Sequence, residues 1–205
     1  MPTADQLEAL DQIAAAAVAS EIATQINGIG VPAALTTTQA IIESAWLTKA
    51  PGFNCFGVKM YPGCYGTQHL VTTEWFTQMQ VTQFRELGAD RTATLRLPTQ
   101  RSGMGYLYDV QDLFATFPSL AACFEYHGRL LQQGRYATAW EAFAASEDLD
   151  GFIAAIAPIY ATDPDYADRV TTLAHGPHVA DAIARARSVG SKSAYLSPEV
   201  TKLWF

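Results

Sequence analysis

Apolar residues recur at helical spacing toward both ends of this 205-residue chain, but over roughly 53–110 they alternate with polar ones instead. A period near 3.6 and a period of 2 cannot belong to one element. The sequence must therefore fold as helices, an inserted β-rich segment, and helices again, an α+β arrangement.

Leu7, Leu10, Ile13, Val18, Ile22 and Ile26 predict a helix over 4–26, stopped by Asn27-Gly28-Ile29-Gly30-Val31-Pro32. Thr36-x-x-Gln39 has the form of a capping box and predicts a second helix from Thr36 to about Thr48, closed by Pro51-Gly52. Strands are expected at 66–73, 80–85, 92–97 and 105–108, separated by turns such as Tyr61-Pro62-Gly63. Helical spacing returns at 119–132 and then near 136–145, 148–156, 165–174 and 179–188. The expected organisation is an N-terminal helical extension (1–32), a main domain (33–189) with its β-lobe at about 53–110, and a tail (190–205) ending in Leu203-Trp204-Phe205.

Charge removes several function classes. The chain carries a net charge of −7 and has no basic run, which argues against nucleic acid as a partner. No stretch is apolar for long enough to span a membrane. The apolar run Ala14–Ala19 lacks preceding basic residues, and Asp5, Glu8 and Asp11 interrupt its approach, so it does not read as a signal peptide. Cys55 and Cys64 flank a Gly/Pro-rich loop, either as a bridge or as two free thiols, and Cys123 reads as a buried small hydrophobe. His175, His178 and Asp181 have a spacing a metal could use, but Gly176-Pro177 separates the histidines and no metal or other cofactor is expected.

One carboxylate stands out. Glu43 sits among Ile41, Ile42, Ala45 and Trp46, where burial would raise its pKa and keep it protonated near neutral pH. That is what the general acid of glycosidic cleavage requires, and Glu74, in Val71-Thr72-Thr73-Glu74-Trp75-Phe76, offers a second carboxylate in a different setting.

Six motifs, taken in order, sharpen the reading: Glu43-Ser44-Ala45-Trp46; Asn54-Cys55-Phe56-Gly57-Val58-Lys59; Thr72-Thr73-Glu74; Phe84-Arg85; Arg135-Tyr136; and Tyr160-Ala161-Thr162-Asp163-Pro164-Asp165-Tyr166-Ala167. Together they resemble the bacterial and phage N-acetylglucosaminidases of glycoside hydrolase family 73. These are peptidoglycan hydrolases of the lysozyme-like superfamily, and flagellar-rod and autolysin enzymes are among them. The resemblance spans about 33–175 and implies a lysozyme-like body with a groove between helices and β-lobe. It implies Glu43 as general acid, Glu74 as second carboxylate and Tyr160 as a cleft tyrosine supporting the reacting sugar. Leu47 stands where the family usually has Gly, Cys55 where it has Leu, and Leu87 where its F-R-x-Y motif has Tyr. An extra run at 88–108 reads as a further hairpin.

Candidate sugar contacts are Trp46, Asn54, Phe56, Gly57, Tyr65, Trp75 and Tyr166, with Tyr61 as a further aromatic, since apolar sugar faces lie well on aromatic rings. Gly57 would admit close approach of a sugar, and Phe56 is the aromatic best suited to the core. Thr162 or Asp163 is expected to cap a helix whose first turn takes Pro164. The expected activity is endo-β-N-acetylglucosaminidase action on peptidoglycan glycan strands, by a secreted, periplasmic or wall-associated enzyme or a phage lysin. A muramidase or lytic transglycosylase on the same polymer, and a wall-binding protein without turnover, are the alternatives.

Overall fold

The computed structural model describes residues 2–89, 91–101, 105–161 and 163–196. The chain divides into a helical unit (1–50 with 119–205) and a unit containing the sheet (51–118).

In the helical unit, α1 (Ala4–Ala23) opens with a reciprocal capping box between Thr3 and Gln6. Its alanine-rich face buries Leu10, Ile13, Ala14 and Ala17, and the helix packs on α2 (Ala33–Ser44), α4 (Leu120–Leu131) and α8 (Pro177–Leu196). The segment expected as an N-terminal extension is thus built into this unit. The remaining helices, α5 (Ala137–Ser146), α6 (Leu149–Tyr160) and α7 (Tyr166–Ala174), surround an aromatic and aliphatic core. Phe143 stacks on Phe152 at 5.0 Å, and Trp140, Ile153, Ile156, Leu35 and Leu131 belong to the same cluster. α6 runs a turn beyond its expected end, through Pro158. α8 passes through the boundary expected at 189–190, and the rest of the tail, 197–205, lies outside the described residues.

The second helix corrects its sequence expectation. Its capping box is not used: α2 begins at Ala33, and Thr36, Thr37, Thr38 and Gln39 are all fully buried inside it. Pro32 has no side chain with which to cap, so a residue from α1 serves. Glu21 Oε1 accepts the Ala33 N–H at 3.2 Å. The approach depends on Gly30, since a Cβ there would lie 1.8 Å from the Glu21 carbonyl oxygen. The helix also stops earlier than expected, at Ser44.

In the second unit, β1 (Gly66–Phe76), β2 (Thr92–Arg101) and β3 (Gly105–Thr116) form an antiparallel sheet in the order β1-β3-β2. The strand expected at 80–85 is instead helix α3 (Gln78–Glu86). Thr77 and Gln80 form its capping box, and Val81 and Phe84, three apart, bury one face against Ala93, Tyr108 and Val110. The alternation that suggested a strand there was the spacing of a short amphipathic helix. The strand expected at 105–108 continues to Thr116. The extra hairpin supplies β2 and the start of β3, although Asp90 and residues 102–104 within it lie outside the described residues.

Asp112 on β3 holds the base of this sheet. Burial alone would raise its carboxyl, but hydrogen bonds from Arg91 (2.7 Å), Lys59 (3.0 Å) and the Leu113 N–H outweigh it and keep the group below the usual carboxylate range. Among the described residues no disulfide joins Cys55 to Cys64, and Cys55 and Cys123 are buried.

Candidate functional site

Glu43 lies in the last turn of α2, where the unsatisfied carbonyls of the helix end disfavour a negative charge. Glu43 is exposed, not sunk into the core as the apolar neighbours suggested. Protein still crowds the carboxyl enough that burial raises its pKa, with a hydrogen bond from Tyr166 and the charge of Arg169 offsetting part of the rise. Tyr166 Oη donates to Glu43 Oε1 at 3.1 Å. Tyr166 Oη in turn accepts from Gln39 Nε2 at 3.2 Å, one turn before Glu43 on α2.

The helix ends here for a local reason. Ala45, Trp46 and Leu47 all have positive φ (47°, 61° and 66°), a left-handed turn that three non-glycine residues rarely make. Ser44 holds it by donating to the Ala40 carbonyl and accepting the Leu47 N–H at 2.9 Å, while Trp46 N–H reaches the Ile41 carbonyl at 3.2 Å. The turn removes Trp46 and Leu47 from the helical neighbourhood of Glu43. Trp46 instead lines a hollow with Asp5, Glu8 and Gln12 of α1.

Tyr166 is the first residue of α7 and is 4% exposed, so this expected sugar contact meets Glu43 and Gln39 through its hydroxyl rather than forming an open wall. Before it, Asp163 accepts the Asp165 N–H at 3.0 Å and pairs with Arg169, fixing the start of α7; Thr162, the other expected cap, lies outside the described residues. Tyr160 closes α6 and stacks on Tyr166, with centroids 5.5 Å apart and planes 21° apart. Burial, then the nearby Tyr166 and Glu43, push the Tyr160 hydroxyl well above its ordinary range, so it stays neutral. His127 meets the Tyr160 ring edge-on at 5.8 Å, and complete burial pushes it down to about 3, leaving it uncharged.

The remaining candidates belong to the sheet-containing unit. Glu74 stands opposite Tyr108 on β1, half-buried, and accepts from Thr72 Oγ1 at 3.1 Å. Asn54 is 3% exposed, and its amide is spent on the backbone. Nδ2 donates to the Val58 and Ala115 carbonyls, each at 2.9 Å, and Oδ1 accepts the Val58 N–H at 2.9 Å. It clamps a turn and leaves no group for a sugar. Gly57, at φ 61°, is exposed with open space where a Cβ would point. Tyr65 is 74% exposed, whereas Phe56 and Trp75 are half-buried. The structure therefore gathers Glu43, Tyr160 and Tyr166 in one unit and holds Glu74 and the other sugar-contact candidates, Trp46 apart, in the other.

Sequence reasoning missed Gln39, read as part of a cap, and Ser44, read as a motif letter. The one available signal was an unbroken Thr-Thr-Thr-Gln run inside an apolar helix, which has no reason to be solvated. His175 is bonded to Asp150 at 2.7 Å, and among the described residues no three His, Cys, Asp or Glu side chains converge as metal ligands.

Residues 19–177 match the family model for Glucosaminidase, described as mannosyl-glycoprotein endo-beta-N-acetylglucosaminidase. No curated protein matches the chain in sequence. Among solved structures, the catalytic domain of the autolysin Auto from Listeria monocytogenes aligns with a TM-score of 0.61 at 21% identity, covering 89% of each chain. A peptidoglycan hydrolase from Sphingomonas sp. A1 aligns at 0.54 and 19% identity over 97% of this chain and 99% of its own. The glycoside hydrolase domain of Salmonella typhimurium FlgJ, in a C-terminally truncated form, gives 0.54 and 21% identity over 82% and 95%. At such identities the likeness shows the fold.

Proposed function

The chain belongs to the glucosaminidase family of glycoside hydrolases, and from that premise we propose that it cleaves the β-1,4 bond after N-acetylglucosamine in peptidoglycan glycan strands with Glu43 as general acid. The observation that carries this reading is the Tyr166–Glu43 hydrogen bond on a carboxyl that burial raises. Such a group keeps its proton to higher pH than a solvated carboxylate, yet is steadied once the proton has left. The substrate follows from the family together with the kind of polymer named for two of the structural relatives, an autolysin and a peptidoglycan hydrolase.

In the proposed reaction the Glu43 proton passes to the glycosidic oxygen as the bond from that oxygen to the anomeric carbon breaks. Positive charge develops on the sugar and is met by a nucleophile on the opposite face. Two nucleophiles fit the chemistry: water deprotonated by Glu74, or the carbonyl oxygen of the sugar's own 2-acetamido group, later opened by water. Either way one water is consumed and one reducing end appears.

Mass spectrometry of digested peptidoglycan tests the bond. Reducing-end N-acetylglucosamine is the expected product. Reducing-end N-acetylmuramic acid would make the protein a muramidase, an anhydro-muramoyl end would make it a transglycosylase, and no release would leave a wall-binding protein. Glu74→Gln separates the two nucleophiles: a partial loss of turnover is expected, and wild-type turnover would favour the acetamido route.

A further inference from the structure

Gln39 is completely buried, and a buried amide costs stability unless its donors and acceptor are met. Only part of that need is met among the described residues. Nε2 donates to the Tyr166 hydroxyl at 3.2 Å, while Oε1 has no hydrogen-bond partner. Leu or Met would fill this space without an orphaned oxygen, so an amide here needs a purpose beyond packing.

The hydroxyl of Tyr166 supplies one. It carries a single proton and has two polar neighbours, Gln39 at 3.2 Å and Glu43 at 3.1 Å. When Gln39 presents its NH₂ group, the phenol oxygen must accept there, and its proton is left for Glu43. Turning the amide over would give Oε1 a donor, but it would draw that proton away from Glu43 and strand the NH₂ group instead. The orphaned oxygen is the cost of the orientation that serves Glu43.

We propose that Gln39 is a positioning residue for the general acid, fixing the direction of the Tyr166 hydroxyl so that its proton is committed to Glu43. The inference rests on the glycosidase reading of Glu43. Losing the donated proton removes a bond that favours the carboxylate, so Glu43 would hold its proton to higher pH. The other groups that act on this site are Arg169 on α7 and Tyr160 at the end of α6, while α1 brings Asp5 and Glu8 to the turn after Glu43. None of these is altered by the substitutions that follow.

The test is the pH profile of kcat/KM on peptidoglycan fragments for the wild type, Gln39→Leu, Gln39→Glu, Tyr166→Phe and the double variant Gln39→Leu/Tyr166→Phe. The basic limb, which reports the acid's proton, is expected to move up by about half a pH unit in Tyr166→Phe, and by a smaller amount in Gln39→Leu, where the hydroxyl keeps Glu43 as its one acceptor but loses the donor that fixes and polarises it. In Gln39→Glu it should move further, because a carboxylate would compete for the Tyr166 proton and add negative charge. The double variant should move no further than Tyr166→Phe alone, because Gln39 acts only through that hydroxyl. A limb unmoved in Gln39→Leu, or a second shift in the double variant, overturns the proposal. Titration of the Glu43 carboxyl by carbon NMR provides a second readout independent of turnover. An unmoved titration in Tyr166→Phe overturns the relay even where a Gln39 variant fails to fold. Wild-type protein without Glu43-dependent cleavage would sink the glycosidase reading, and the NMR titration would still decide the relay.

Discussion

Ser44 Oγ accepts the backbone N–H of Leu47 at 2.9 Å, so the side chain immediately after Glu43 fastens the residue that closes the left-handed turn. The family resemblance places Gly at position 47, and φ of 66° there supplies the physical reason. A non-glycine residue in this conformation costs on the order of 1–3 kcal/mol. Leu47→Gly should therefore leave the melting temperature at least where it is, although it deletes a half-buried side chain. Ser44→Ala should lower stability by about 1–2 kcal/mol, because it frees the turn and leaves the Leu47 N–H without its acceptor. Thermal unfolding of the two variants checks both. A Leu47→Gly loss as large as that of a core leucine would contradict the strain account.

Glu43 also links stability to pH. Burial places its folded pKa above the value of about 4.3 for an unfolded glutamate. The protonated side chain's contribution is then complete below the unfolded value and is lost as pH rises through the raised folded value. At neutral pH the ionised group weakens the fold relative to a neutral isostere. Glu43→Gln keeps an oxygen for Tyr166 and should melt higher than the wild type at pH 7, with the gap closing near pH 4. Equal melting temperatures across that range would mean that Glu43 titrates as a solvated carboxylate.

Asn54 yields a prediction opposite in kind to the sugar contact first expected of it. All three of its hydrogen bonds run to backbone groups of Val58 and Ala115. Asn54→Ala should cost about 2–4 kcal/mol, since buried backbone groups lose their partners, and the deficit should show in denaturant unfolding. Activity per folded molecule should change little. A variant with wild-type stability and weakened glycan binding would return Asn54 to the sugar site.

The α+β plan, the helical spacing of α1 and α4, and the position of Glu43 on a helix could all be read from local periodicity, because each follows from residues within a few turns of one another. α3 could not, because a nine-residue helix with two buried positions gives a pattern as short as a strand's. The start of α2 was misread because its cap comes from Glu21, twelve residues back in sequence, which no local motif reveals. The same limit hid the partners of Glu43. Gln39 and Tyr166 are 127 residues apart, and the role of each is visible only once α7 lies against α2. Asn54 carried the motif but not its meaning, since a buried amide clamp and a sugar contact leave the same letter.

Release of reducing ends from purified peptidoglycan by the wild type and by Glu43→Gln, at matched concentration and confirmed fold, tests the central claim most directly. The glycosidase account predicts reducing-end N-acetylglucosamine from the wild type and a loss of about a hundredfold or more in the variant, the scale expected for removing a general acid. Cleavage by Glu43→Gln at close to the wild-type rate would contradict it.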